Sequence, residues 1–137
     1  ENINIPIANG ERIFSRWQYI PYFENSSLQV AQPDLGTCGG ITEGKKIADI
    51  AHAYDVGIQM HACGSPLSSI AAVQVETVLP NFIILEHHLC FLHEYNKELC
   101  IYDYQPQNGR ISAPEIPGLG NEWSRDAISK AHKITLY

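Results

Sequence analysis

Four ionisable residues close four short apolar runs of this 137-residue chain. Glu11 follows Ile5-Pro6-Ile7-Ala8-Asn9-Gly10, and Asp34 follows Leu28-Gln29-Val30-Ala31-Gln32-Pro33. His61 follows Val56-Gly57-Ile58-Gln59-Met60, and Glu86 follows Phe82-Ile83-Ile84-Leu85. The intervals between them are 23, 27 and 25 residues. An eight-unit α/β barrel spends about 30 residues on each strand-plus-helix unit. The spacing therefore predicts that Glu11, Asp34, His61 and Glu86 share the carboxyl-end face of a parallel sheet.

The chemistry open to such a group is specific. A carboxylate at a strand end binds a hard divalent ion through oxygen. A histidine beside a carboxylate on the next strand has its tautomer fixed and its basicity raised, which suits a general base near neutral pH. A second carboxyl, kept protonated, can donate a hydrogen bond to a developing oxyanion. Together these parts fit proton abstraction next to a carboxylate. Each residue alone has a plainer role: Glu11 as surface charge, Asp34 as a helix cap, His61 as a structural histidine. Glu86-His87-His88 is a poor zinc set on a strand, because neighbouring side chains point to opposite faces. His87, His88 and His93 are further candidates for lining the site, without a spacing argument behind them.

The elements that must position these residues follow from the flanking pattern. A first strand is predicted over residues 3–8, short or at an edge because Pro6 removes a ladder donor. Ser15 is positioned to cap an aromatic-rich helix that Pro21 limits. The second strand covers residues 28–33. Gly36, Gly39 and Gly40 make a turn whose spacing matches neither the P-loop nor the dinucleotide fingerprint. Ile47, Ile50, Ala51 and Tyr54 recur on one helical face, so Ile41 to Tyr54 is the clearest helix, capped by Thr42 and ended by Asp55 and Gly57. A helix is predicted over Pro66 to Leu79, with Ser68 or Ser69 near its start and Pro80 as its stop. Ile70, Ala71, Gln74 and Val78 are expected on its inner face. Phe82 to Leu85 is continuously apolar, as in a strand covered on both faces. Beyond Glu86 the alternation ends. Cys100 to Tyr104 is a candidate strand, Gln107-Asn108-Gly109 a turn, and Ser124 the cap of a last helix reaching about Lys133. Four strand–helix units imply a parallel sheet with right-handed crossovers. They do not close a barrel, so two edges and an inner face stay open.

Composition narrows the class. At 45% apolar, the chain suits one ordinary folded domain. The formal charge of −6 argues against a nucleic-acid or anionic-membrane partner. No apolar run reaches the length of a membrane span, and no signal peptide is visible. A cytoplasmic location with reduced thiols is expected, since Cys38, Cys63, Cys90 and Cys100 form no CxxC pair. Cys63, two residues past His61, is read as a small buried residue ahead of a nucleophile. Residue 1 is Glu and the one methionine is Met60, which suggests a processed chain or a piece of something longer.

The residues also carry a resemblance. The chain resembles the C-terminal part of an enolase-superfamily enzyme of the mandelate racemase/muconate lactonizing subgroup, and is most similar to acid-sugar (galactonate-type) dehydratases. The matching segments are Ile5 to Ile13, Gln32-Pro33-Asp34-Leu35-Gly36 with Cys38 to Glu43, His61 in its Gly-containing turn, Pro80-Asn81-Phe82 leading to Glu86, and Pro117-Gly118-Leu119-Gly120. The resemblance implies an α/β fold: strands five to eight of a (β/α)8 barrel over residues 1–93, then an extension over 94–137 returning toward a capping domain. It implies that Glu11 is one carboxylate ligand of a catalytic Mg2+. Asp34 and His61 match the Asp–His dyad, with His61 as base or acid at the carbon next to the substrate carboxylate. Glu86 matches the residue that steadies the enediolate. The implied reaction removes water from a sugar acid to give a 2-keto-3-deoxy acid, with a homo-oligomer as the full-length form.

The family's other two metal carboxylates, its second acid/base group and most of its substrate-selecting cap belong to segments that this chain does not contain. The chain alone is therefore expected to be inactive. Two other readings remain at this point: a racemase or cycloisomerase of the same superfamily, and a non-catalytic half barrel that self-associates.

Overall fold

A computed structural model describes residues 4–136. Three short parallel strands form its sheet: β1 (Ala8–Asn9), β2 (Val30–Ala31) and β3 (Gly57–Ile58), in the order β1-β2-β3. Helices alternate with them: α1 (Arg16–Glu24), α2 (Gly40–Ala53) and α3 (Pro66–Glu76). A single parallel bridge, Ile58 to Phe82, adds the fourth strand position. The architecture is a half of an α/β barrel, as the spacing predicts.

Strand alternation sets the two faces of the sheet. Ala31, Pro33 and Leu35 are buried, as are Ile58, Met60 and Ala62. The residues between them, Gln32, Asp34, Gln59 and His61, are half-buried on the opposite face. Gln32 donates to Gln59 there at 2.7 Å. The buried face meets Tyr19 and Phe23 of α1, Ile47, Ala48 and Ala51 of α2, and Ala72 and Val75 of α3 in one hydrophobic core. Period two in the strands thus separates the core from the chemistry.

Local sequence explains most boundaries. In α2 the buried positions Gly44, Ile47, Ala48 and Ala51 follow helical spacing. Its end is a Schellman motif: Val56 N–H donates to Ala51 O at 2.9 Å and Asp55 N–H to His52 O at 3.2 Å, with Asp55 left-handed at φ 55°. Ser65 caps α3. Its hydroxyl accepts from Ser68 N–H at 3.4 Å and Pro66 takes the first helical position.

Several expectations are corrected. β1 begins at Ala8, after Pro6, while Ile3 and Glu1 lie outside the described residues. Thr42 does not cap α2, because the helix already starts at Gly40 and Gly39 occupies the cap position. Ser15 precedes α1 without a side-chain cap, and α1 runs through Pro21. Val78 is 63% exposed because α3 ends at Glu76, which removes it from the helical face. Phe82, Ile83 and Ile84 are 43%, 54% and 59% exposed. Ile83 N–H donates to Ile58 O at 2.9 Å on one side, and no strand among the described residues pairs on the other. Cys100 forms one antiparallel bridge, with Trp123, in place of a strand. The Gln107–Arg110 turn does form, with Asn108 and Gly109 at positive φ. Ser124 caps α5 (Arg125–Lys130), which follows the short α4 (Glu94–Lys97).

Candidate functional site

The register of the sheet delivers two of the four candidates to each other. Val30 pairs with Gly57 and Ala31 with Ile58, and the same offset brings Asp34 opposite His61 in a further parallel bridge. His61 N–H donates to Pro33 O at 3.1 Å, which fixes the backbone at this point. The His61 Nδ1 lies 2.7 Å from Asp34 Oδ2. Asp34 is held in turn: its Oδ1 accepts from Gly36 N–H at 2.6 Å, and its carbonyl accepts from Thr37 and Cys38. The Asp34 and His61 side chains are 13% and 18% exposed, so a charge-assisted hydrogen bond here is well shielded from water.

The outer two candidates approach His61 from the flanking positions. Glu11 Oε2 is 2.8 Å from His61 Nε2, and its side chain is half exposed. Glu86 Oε2 is 3.9 Å from the same nitrogen. Glu86 is oriented by the backbone, since that oxygen also accepts from Ala62 N–H at 2.8 Å. The other three strand-end residues therefore converge on the His61 imidazole. The ring faces a carboxylate on each nitrogen. Glu11 comes into place through Gly10, whose carbonyl accepts from the buried Tyr19 hydroxyl at 2.7 Å and whose φ is 149°.

Further residues came to light only in three dimensions. Glu76, on α3, is 5% exposed and accepts from Met60 N–H at 2.8 Å, directly before His61. Burial pushes its carboxyl up to about 7. Its position three and four residues after Val73 and Ala72, on an otherwise apolar helix face, was the available signal. Cys63 is exposed, not buried as expected. Its thiol is pushed up, first by desolvation and then by Cys90 and Glu86, which disfavours a nucleophilic thiolate. His87 turns away from the dyad toward Gln105 and Phe91, and His93 stacks on Tyr95.

The Enolase C-terminal domain-like family matches residues 1–127. The chain belongs to that family. A D-xylonate dehydratase from Haloferax volcanii is 34% identical over 134 residues, covering 98% of this chain and 32% of that protein. A D-galactonate dehydratase from Xanthomonas oryzae pv. oryzae is 36% identical over 135 residues, covering 95% of this chain and 35% of that protein. Among solved structures, an enolase-superfamily member from Salmonella Typhimurium superposes with TM-score 0.94 at 50% identity, covering 98% of this chain and 34% of that one. A mandelate racemase/muconate lactonizing enzyme from Jannaschia sp. CCS1 superposes with TM-score 0.85 at 32% identity, covering 98% and 34%. The chain thus spans about a third of the length of these relatives.

For this enolase-family chain the divalent ion implied by the fold can be tested against the side chains present. Glu11 has the right chemistry, a half-exposed carboxylate at a strand end. A hard cation takes about six oxygen ligands, and Asp34 is already committed to His61 and Gly36. The described residues fit the ion in ligand type, as one contributor among several. No helix among them is long and apolar enough to cross a membrane.

Proposed function

We propose that this chain carries the acid/base part of a sugar-acid dehydratase site. One observation carries the reading: a shielded Asp34–His61 pair at 2.7 Å, with Glu86 held on the Nε2 side of the ring. The dehydratase names of the relatives support the same substrate class.

Asp34 accepts from Nδ1–H and so leaves Nε2 as the reactive nitrogen. Nε2 takes the proton from the carbon next to the substrate carboxylate, and the electron pair moves into an enediolate. Glu86, steadied by Ala62 N–H, hydrogen-bonds that carboxylate end where charge develops. The hydroxyl on the neighbouring carbon then departs as water, taking back the proton that His61 holds. The resulting enol becomes a 2-keto-3-deoxy acid. A bound Mg2+ supplies positive charge beside the substrate carboxylate. Glu11 is the residue of this chain that would hold the ion. Residues 94–137 form the extension toward the capping segment. The remaining metal ligands and the substrate-selecting cap come from outside this chain, so the 137 residues alone are inactive.

A screen of C5 and C6 sugar acids with Mg2+, using the full natural polypeptide that carries this sequence, tests the proposal by formation of 2-keto-3-deoxy product. His61→Asn abolishes turnover. Asp34→Asn lowers kcat about 10- to 100-fold, the loss expected for one charge-assisted hydrogen bond. Full activity in Asp34→Asn, or racemisation without loss of water, would refute the reading.

A further inference from the structure

Cys63, His88 and Cys90 form a second cluster at the same end of the sheet. Their ligand atoms all lie within 4.8 Å of one another. Cys63 sits in the turn between β3 and α3. His88 and Cys90 belong to the 3₁₀ turn that follows Glu86, with His88 at its N-terminal boundary. We propose that these three side chains are a binding site for a thiophilic divalent metal, zinc in class, distinct from the oxygen site of Glu11.

The donor set decides the metal. Two thiolates and one imidazole suit Zn2+ or Co2+ and are poor ligands for Mg2+. A tetrahedral ion with bonds of about 2.0–2.3 Å holds its donors roughly 3.3–3.8 Å apart, so closure needs movements of about an ångström. Cys63 and His88 are exposed and Cys90 is half-buried, so their rotamers are free to make them. The backbone is already set. Phe91 N–H donates to His88 O at 3.0 Å, and Asn96 Nδ2 donates to Cys90 O at 2.9 Å. Glu86 and Glu11 add negative charge near Cys63, which favours a cation between the two sulfurs. The ion would brace the turn after His61 against the segment carrying Glu86, leaving one coordination position for water.

The purified protein, reduced and stripped with chelator, is titrated with Co2+ in excess Mg2+. We expect one saturable equivalent with thiolate-to-cobalt charge-transfer absorption, displaced by Zn2+. Cys63→Ser and Cys90→Ser each reduce that absorption and weaken binding at least about tenfold. His88→Gln weakens binding similarly while the absorption persists. Cys63→Asp, which keeps an anionic ligand, recovers affinity with reduced absorption, separating a lost ligand from a lost fold. Absence of the band, its survival in the Cys63→Ser/Cys90→Ser double variant, or a Cys63–Cys90 disulfide persisting under reducing conditions would overturn the proposal.

Discussion

Replacing Glu76 by Gln should flatten the pH dependence of stability between about pH 4.5 and 7. The wild-type carboxyl is 5% exposed, and burial raises it from 4.5 to about 7. The protonated form is therefore the one the fold prefers. A raised folded-state value means that the stability it contributes is complete below pH 4.5 and is lost as pH rises through 7. The shift corresponds to about 3 kcal/mol between those limits, at 1.36 kcal/mol for each pH unit. Burial outweighs the Met60 N–H bond, which favours the charged form. Gln keeps an oxygen acceptor for Met60 and cannot ionise. Urea unfolding of both proteins at pH 5 and pH 8 isolates the effect as a difference of differences, in which the other carboxylates cancel. The variant should gain up to about 3 kcal/mol on the wild type between the two pH values. An identical pH slope in both proteins would refute a buried, titrating Glu76.

Two other substitutions test the frame around the site. At Gly10, a Cβ would run into the Tyr19 hydroxyl and come 2.8 Å from Gln32 N, at a φ of 149°. Gly10→Ala should cost at least about 2 kcal/mol in denaturant unfolding and displace Glu11 from His61. Asp55 holds the left-handed C′ position of the α2 Schellman motif at φ 55°. Asp55→Gly should stabilise by about 0.5–1 kcal/mol, read as a raised urea midpoint.

The spacing of Glu11, Asp34, His61 and Glu86 was legible because each ends a strand position, and the parallel register turns equal spacing into proximity. Fold class followed from the same alternation. Strand lengths were not legible. Apolar runs such as Phe82 to Leu85 extend beyond the residues that pair, and composition cannot say what covers an edge. The α2 start was placed one residue late and its cap at Thr42, because Gly39, Gly40 and Thr42 compete within a few positions, whereas the α3 start at Pro66 was legible. Glu76 was hidden because a single carboxylate in an apolar helix is ordinarily solvent-facing. The contact between Glu11 and His61 and the Cys63–His88–Cys90 cluster depend on loop paths that periodicity does not encode.

In the proposed reaction His61, oriented by Asp34, removes the proton next to a sugar-acid carboxylate. Its most direct test is exchange of that proton for deuterium in D2O, followed by NMR in the full natural polypeptide with Mg2+. Wild-type protein should give exchange or deuterium-labelled product and His61→Asn none, whatever the fate of the departing hydroxyl. Undiminished exchange in His61→Asn would contradict that role.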